Sequence, residues 1–136
     1  MRALIDCNVL LDVGLDRMPW ANASSATLKL ALHGGFDGFV AWHSLSNLDY
    51  LVKRDGDRDA RAFISELLSF LQVAPVGQAD MQYALELKML DLEDAMQVAA
   101  AVACRARHIV TRNTRHYRKS PVPAITPARF LSAYGP

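Results

Sequence analysis

The chain has 136 residues, of which 51% are apolar, and its 15 basic and 14 acidic residues leave a formal net charge of +1. This length predicts one domain over residues 1–136, large enough to bury a single core with helices on both sides of a sheet. The near-neutral charge does not indicate binding to polyanions through bulk charge, and no segment has the ~20 consecutive apolar residues that span a bilayer. Without such a segment, we expect no membrane partner. The 2 cysteines are too few for a disulfide framework, so we expect a reducing, cytoplasmic environment.

Short apolar runs alternate with helical periodicity along the chain. The apolar runs predict strands over residues 2–5, 38–42, 71–76 and 108–111, with a proline-limited edge strand over 123–126. Spaced apolar residues with start and stop signals predict helices over 8–12, 20–32, 44–54, 58–70, 78–90, 91–106 and 126–134. This alternation is typical of the α/β class, so we expect a parallel sheet of four or five strands flanked by helices.

Two aspartates stand where chain elements of such a fold meet. Asp6 directly follows the first predicted strand, and ligands of open α/β sheets bind at the carboxyl ends of strands. Asp94 stands in the first turn of the helix that leads into the fourth strand. Each could instead cap a turn or helix, since Asp is common in that role. Both are candidate site residues with capping as the alternative.

A parallel sheet brings distant strand ends together at one edge. The side chains expected there all carry oxygen: Asp6, Asp94, Asn113 and Asn47. Hard cations such as Mg²⁺ or Mn²⁺ prefer oxygen ligands, and a bound cation can polarise a phosphodiester and lower the pKa of an attacking water. The chain has no cysteine–histidine spacing for zinc, no phosphate-binding loop and no dinucleotide fingerprint.

Charge is unevenly distributed near the C-terminal end. Residues 105–119 contain no acid but carry Arg105, Arg107, His108, Arg112, Arg115, His116, Arg118 and Lys119. The stretch 80–94 is rich in acids by contrast. A basic patch beside an acidic focus suits a polyanion that is held against metal-binding carboxylates, and the alternative is an ordinary solvated face.

Four segments in order along the chain resemble the PIN-domain family. They are residues 4–12 (LIDCNVLLD), 92–97 (LEDAMQ), 109–117 (IVTRNTRHY) and the tail over 120–131. The resemblance implies a Rossmann-like, three-layer α/β fold with a parallel sheet of four or five strands. Many small bacterial members are Mg²⁺-dependent ribonucleases, often VapC-like toxins of toxin–antitoxin pairs and often dimers. It therefore implies an endoribonuclease that acts on RNA with Mg²⁺ or Mn²⁺, a cognate antitoxin and a homodimer.

The resemblance also implies roles for individual residues. Asp6 matches the family's first metal-binding acid, and Asp94 matches the acid that opens the later helix. Asn8 and Thr111 match polar positions that support the site. Arg112, Arg115 and His116 lie in the basic loop that follows the fourth strand. These five residues are the candidates for binding substrate.

Some family positions hold neutral residues in this sequence. Asn47 stands where the family usually has a Glu, and Asn113 and His116 stand where a later Asp is common. Glu93, beside Asp94, either compensates for a missing acid or interacts only with the helix dipole. Neutral oxygens should hold Mg²⁺ less strongly than carboxylates. The alternative function is therefore a catalytically weakened PIN-like domain that binds RNA or a protein partner.

Overall fold

Five parallel strands form the sheet of the computed structural model, which describes residues 1–136. In chain order they are β1 (Arg2–Ile5), β2 (Asp37–Val40), β3 (Gln72–Val73), β4 (His108–Val110) and β5 (Ala124–Ile125). Their spatial order is β3-β2-β1-β4-β5, and every neighbouring pair is parallel. The strand order reverses beside β1, and ligands of open α/β sheets bind at this kind of switch point. Asp6, the residue after β1, therefore stands at the middle of the sheet's carboxyl edge.

Seven α-helices and one 3₁₀ turn (Thr114–Tyr117) connect and follow the strands. The helices are α1 (Cys7–Gly14), α2 (Ala21–Leu32), α3 (Trp42–Asp55), α4 (Ala60–Leu67), α5 (Gln78–Glu86), α6 (Leu92–Ala103) and α7 (Pro127–Tyr134). None of them is both long enough and apolar enough to cross a bilayer.

The helices lie on both faces of the sheet, so the predicted three-layer α/β architecture is confirmed. Ala3 and Ile5 of β1 pack into a core beneath α1 to α4 and α7, whereas Leu4 packs on the opposite face against α6. This division follows from the period of two along a strand. The alanine-rich face of α6 allows the helix to lie close to the sheet, and Cys7 and Cys104 are both buried and unpaired.

Each predicted element is present, but several predicted ends were wrong. β2 ends at Val40 because Trp42 already begins α3, and β3 has two residues because this edge strand has only β2 to pair with. α5 ends at Glu86 and α6 at Ala103, just before Lys88 and Arg105, which have positive φ values of 52° and 58°. A left-handed residue cannot continue a right-handed helix. The predicted basic loop contains the 3₁₀ turn.

Candidate active site

Asp6 is a buried carboxylate that accepts four hydrogen bonds. Its Oδ1 accepts from the backbone N–H of Cys7 at 2.7 Å and from Gln97 Nε2 at 3.0 Å. Its Oδ2 accepts from Thr111 Oγ1 at 2.7 Å and from the Tyr117 hydroxyl at 3.1 Å. The side chain thus caps α1 and also forms the centre of a polar cluster, so the two roles considered for Asp6 are compatible. Four donors match the roughly four acceptor positions of an ionised carboxylate.

Tyr117 brings Asp6 and Asp94 to one point. Its hydroxyl is 3.1 Å from Asp6 Oδ2 and 3.3 Å from Asp94 Oδ1, and the side chain is 2% exposed. Burial and the two negative charges raise the pKa of Tyr117 far above its usual range, so the phenol remains protonated. A hydroxyl has a single proton, so it donates fully to only one of the two carboxylates at a time.

Asp94 does not cap α6, because Asp91 has that role. The Asp91 side chain accepts from the backbone N–H groups of Glu93 at 2.8 Å and Asp94 at 3.4 Å. This leaves the carboxylate of Asp94 free to contact Tyr117 and, through Oδ2, His116 Nδ1 at 3.2 Å. Burial raises the pKa of Asp94 most, and the negative charges of Asp91 and Asp6 raise it further.

Gln97 joins α6 and α3 to Asp6. Its Nε2 donates to Asp6 Oδ1 and, at 2.6 Å, to the hydroxyl of Ser44, and all three side chains are buried. The reversed amide would direct an oxygen at an ionised carboxylate, so this orientation is the favourable one. Gln97 Oε1 is buried without a hydrogen-bond partner. Gln97 therefore positions Asp6 and not only fills the core.

Thr111 and Asn8 support Asp6 from β4 and α1. Thr111 Oγ1 donates to Asp6 and accepts from Asn8 Nδ2 at 3.1 Å and from the Asn113 backbone N–H at 3.0 Å. Thr111 is fully buried and its hydroxyl is bonded to Asp6, so it is placed to orient that carboxylate, and its contact with substrate stays a prediction. Asn8 is half-buried, and its Oδ1 accepts from the Arg112 backbone N–H at 3.3 Å. Asn113 is exposed at the same edge.

Asn47 is half-buried, and it is not among the four donors that bind Asp6. It lowers the pKa of Glu93, but burial, Asp91 and Asp6 raise that pKa more. The expected convergence of Asn47 with Asp6 and Asp94 stays a prediction. Glu93 is close enough to Asp6 for the charge of that carboxylate to help raise the Glu93 pKa, after burial and Asp91.

The donor set limits what kind of cation could bind. No three His, Cys, Asp or Glu side chains lie together in a metal-binding arrangement. Two carboxylates that approach the same hydroxyl nevertheless suit a hard cation. Mg²⁺ commonly binds through one or two carboxylates and keeps several waters. The residues present therefore fit Mg²⁺ or Mn²⁺ with few protein ligands.

A basic cleft of about 560 Å³ opens beside Asp94 and His116. Four cationic side chains line it: Lys88, Arg115, Arg118 and Lys119. The predicted basic stretch thus divides, because His108 lies under α7 with its Nε2 2.7 Å from the Tyr134 hydroxyl. The part that contains Arg115 and His116 faces the acids, as expected for a surface that holds a polyanion.

Arg112 is occupied by a buried partner. Its Nε and Nη2 bind the two carboxylate oxygens of Asp12 at 2.7 and 3.0 Å, and Asp12 is fully buried. Ser24 Oγ also donates to Asp12 at 3.1 Å. Most of the charge of Arg112 is therefore neutralised within the protein, which weakens the prediction that it holds a phosphate.

Tyr117, Gln97 and Ser44 were not predicted as site residues from the sequence. One signal could have revealed Gln97: it follows Asp94 by three positions, and such residues share a helix face. Tyr117 follows the 3₁₀ turn's basic residues, and nothing in its local pattern indicates that the ring is buried. Ser44 looks like any residue near the start of a helix.

Comparison with known proteins supports the assignment made from the fold. The PIN domain family matches residues 2–115. Ribonuclease VapC1 of Aquifex aeolicus (strain VF5) is 22% identical over 140 residues, which cover 98% of this chain and 95% of that protein. Two solved structures have a similar fold. One is VapBC2 from Rickettsia felis bound to a DNA fragment from its promoter, with a TM-score of 0.72, 17% identity, and 93% of this chain and 98% of that chain covered. The other is a toxin–antitoxin complex from Klebsiella pneumoniae, with a TM-score of 0.68, 21% identity, and 92% and 97% covered. The parallel sheet and the Asp6–Asp94 pair at its carboxyl edge agree with the family match over most of the chain. This chain therefore belongs to the PIN-domain family.

Proposed function

We propose that this chain is a metal-dependent endoribonuclease that hydrolyses RNA phosphodiesters in the cytoplasm, as the toxin of a toxin–antitoxin pair. One observation carries the proposal: Asp6 and Asp94, 88 positions apart in the sequence, approach the same Tyr117 hydroxyl beside a cleft lined by basic residues. The names of the relatives, a ribonuclease and toxin–antitoxin complexes, support the same function.

Asp6 and Asp94 would hold one Mg²⁺ or Mn²⁺, with Asn113 at the same edge as a neutral oxygen donor. When bound, the cation would supply an activated water and stabilise the charge that grows on the phosphate. Thr111 and Gln97 keep the Asp6 carboxylate in one orientation, so it does not have to be reorganised during reaction. Orientation of this kind is a large part of catalytic power.

The basic cleft would hold the RNA backbone. Arg115, Arg118, Lys119 and Lys88 provide positive charge within the same depression as Asp94. Contacts from such side chains to phosphate give affinity and register without reading sequence. His116 lies between the two regions and, when protonated, would form an ion pair with Asp94 or contact a phosphate.

The direct test is RNA cleavage by the wild type with Mn²⁺ or Mg²⁺ and with EDTA. Asp6→Asn and Asp94→Asn should each abolish cleavage while leaving the fold intact. Asp57→Asn, in an exposed turn, is the matched control and should cut as fast as the wild type. Cleavage that survives in both site variants, or that persists in EDTA, would refute the assignment.

A second candidate function is an RNA-binding or protein-binding domain with weakened catalysis. It is favoured by the neutral Asn47, which stands where the family usually has a Glu, and by the lack of a third metal-binding acid beside Asp6 and Asp94. Calorimetric titration with Mn²⁺ separates the two functions, because this candidate requires weak or absent metal binding together with RNA binding that is not followed by cleavage.

The proposed partners are a cognate antitoxin and a second copy of this chain. Several large apolar side chains lie in the solvent, including Leu85, Leu90 and Tyr50, and they could contact such partners. Light scattering of the purified protein tests the homodimer. Co-expression with the product of a short neighbouring gene, followed by purification and RNA cleavage assays, tests whether an antitoxin binds and inhibits.

A further inference from the structure

We propose that Trp20, packed against Arg112, is a stacking surface for one base of single-stranded RNA at the side of the active site. The inference rests on the proposed function, because it deepens how that same site takes its substrate. It assigns a role to a residue in the segment between α1 and α2, outside the polar cluster around Asp6.

Trp20 presents an ordered aromatic surface to solvent. The side chain is 46% exposed, and the Arg112 Cζ lies 4.1 Å from the centre of its ring. The guanidinium lies over one face of the ring and restricts its plane, and nearly half of the side chain stays exposed. Proteins that bind single strands use such aromatic faces, because every base has a face that can stack.

The support beneath the ring is rigid. Two hydrogen bonds fix the Arg112 guanidinium to Asp12, which is fully buried and is also bound by Ser24. Planar bidentate pairs of this kind restrict both side chains. A ligand that stacks on Trp20 therefore loses little free energy to ordering of the protein, since the surface is already in place.

Charge favours a base over a phosphate at this position. The Asp12 carboxylate neutralises the nearby Arg112, so the local surface has little net positive charge to attract a phosphate. The phosphate-binding charge lies instead on the other side of Asp94, with Arg115, Arg118 and Lys119. What remains exposed beside Arg112 is nearly half of the Trp20 side chain.

The surface is linked to the active site by a short path. Arg112 directly follows Thr111, which donates to Asp6, and the Arg112 backbone N–H donates to Asn8. A depression of about 240 Å³ adjoins Trp20 and Arg112 and is completed by Ala23, Thr126 and Pro127. Its volume is about eight times the ~30 Å³ share of a water molecule, which is room for a planar ring system.

Fluorescence of Trp20 tests the inference directly. The chain has 2 tryptophans, so Trp42→Phe leaves Trp20 as the only indole. In EDTA, single-stranded oligoadenylate should quench this emission as it binds. Trp20→Ala should weaken oligoadenylate binding about tenfold, within the range measured for loss of one stacked base, and Trp20→Phe should keep most of the affinity.

Cleavage kinetics give a second measurement. Trp20→Ala should raise KM about tenfold and leave kcat within about twofold, because the ring lies outside the reacting groups. Trp42→Ala, an exposed tryptophan on α3, is the matched control and should leave both unchanged. Thermal unfolding of each variant shows whether it is folded. If Trp20→Ala does not fold, quenching of Trp20 emission in the Trp42→Phe protein still tests the inference.

The outcomes separate this inference from the proposed function. Unchanged emission with oligoadenylate, or equal affinity of Trp20→Ala and wild type, overturns the stacking surface even if the RNA is cut. Quenching by an apolar peptide but not by oligoadenylate also overturns it and assigns the surface to a protein partner. Quenching and tenfold weaker binding without any cleavage in Mn²⁺ support the surface and refute the nuclease.

Discussion

Removal of the Tyr117 hydroxyl should raise the affinity for a metal ion and lower the free energy of unfolding of the metal-free protein. All four acceptor positions of Asp6 are occupied, and the Tyr117 hydroxyl holds the one that faces Asp94. A cation shared by Asp6 and Asp94 would have to displace that donor. Tyr117→Phe leaves the ring in the core and opens this position, so the cation no longer competes with a hydrogen bond.

The expected size follows from the contacts that are lost. A hydrogen bond to a charged group contributes about 1.5–3 kcal/mol, and the lower end applies because Thr111 and His116 still contact the two carboxylates. The free energy of unfolding in EDTA should fall by about 1.5 kcal/mol, which lowers Tm by about 6 °C for a domain of this size. Because the cation no longer has to break this hydrogen bond, Mn²⁺ should bind more tightly by the same free energy, about tenfold in affinity.

Calorimetric titration with Mn²⁺ and thermal unfolding with and without Mn²⁺ measure both effects. Saturating Mn²⁺ should bring the Tm of the variant closer to that of the wild type. Tyr134→Phe is the control, because that hydroxyl contacts His108 beneath α7 and should leave Mn²⁺ affinity unchanged. Weaker Mn²⁺ binding by Tyr117→Phe would refute the reasoning, since it would mean that the phenol oxygen helps to bind the cation.

Three further predictions concern charge and burial. In EDTA, the free energy of unfolding should fall as pH rises between the ordinary pKa of Asp94 and its raised native value, because the native state holds that proton more tightly. Asp94→Asn should flatten this pH dependence, measured by urea titrations at several pH values. An unchanged pH dependence in the variant would contradict the prediction. Burial raises the pKa of Cys7 to about 12, so native protein should react slowly with iodoacetamide at about pH 8, and rapid alkylation of Cys7 by mass spectrometry would show that the thiol is accessible. Asp12→Ala should lower the free energy of unfolding by about 3 kcal/mol, because it leaves Arg112 without its partner. The double variant Asp12→Ala, Arg112→Ala should lose less unfolding free energy than the two single variants together. Additive losses, measured by urea unfolding, would contradict an interaction between the two side chains.

The elements themselves were predictable because their signals are local. The apolar run before Asp6, the caps Asp91 and Thr126 and the proline at the start of α7 act within a few residues of their positions. The ends were less predictable, since β3 is limited by the strand beside it and the left-handed Lys88 has no distinctive side chain. Alternation of strands and helices was enough for the fold class, because it permits few other arrangements.

The sequence by itself determined that Asp6, after β1, and Asp94, in the first turn of α6, would lie at the carboxyl edge of a parallel sheet. Strand direction and chain order decide which strand ends and helix starts lie at that edge. Only the tertiary structure decided the environment of the two acids. Tyr117 reaches Asp6 across 111 positions, and Gln97 reaches it across 91. Contacts between side chains so distant in the chain depend on how helices pack on the sheet, and packing is decided by the whole core and not by any local pattern.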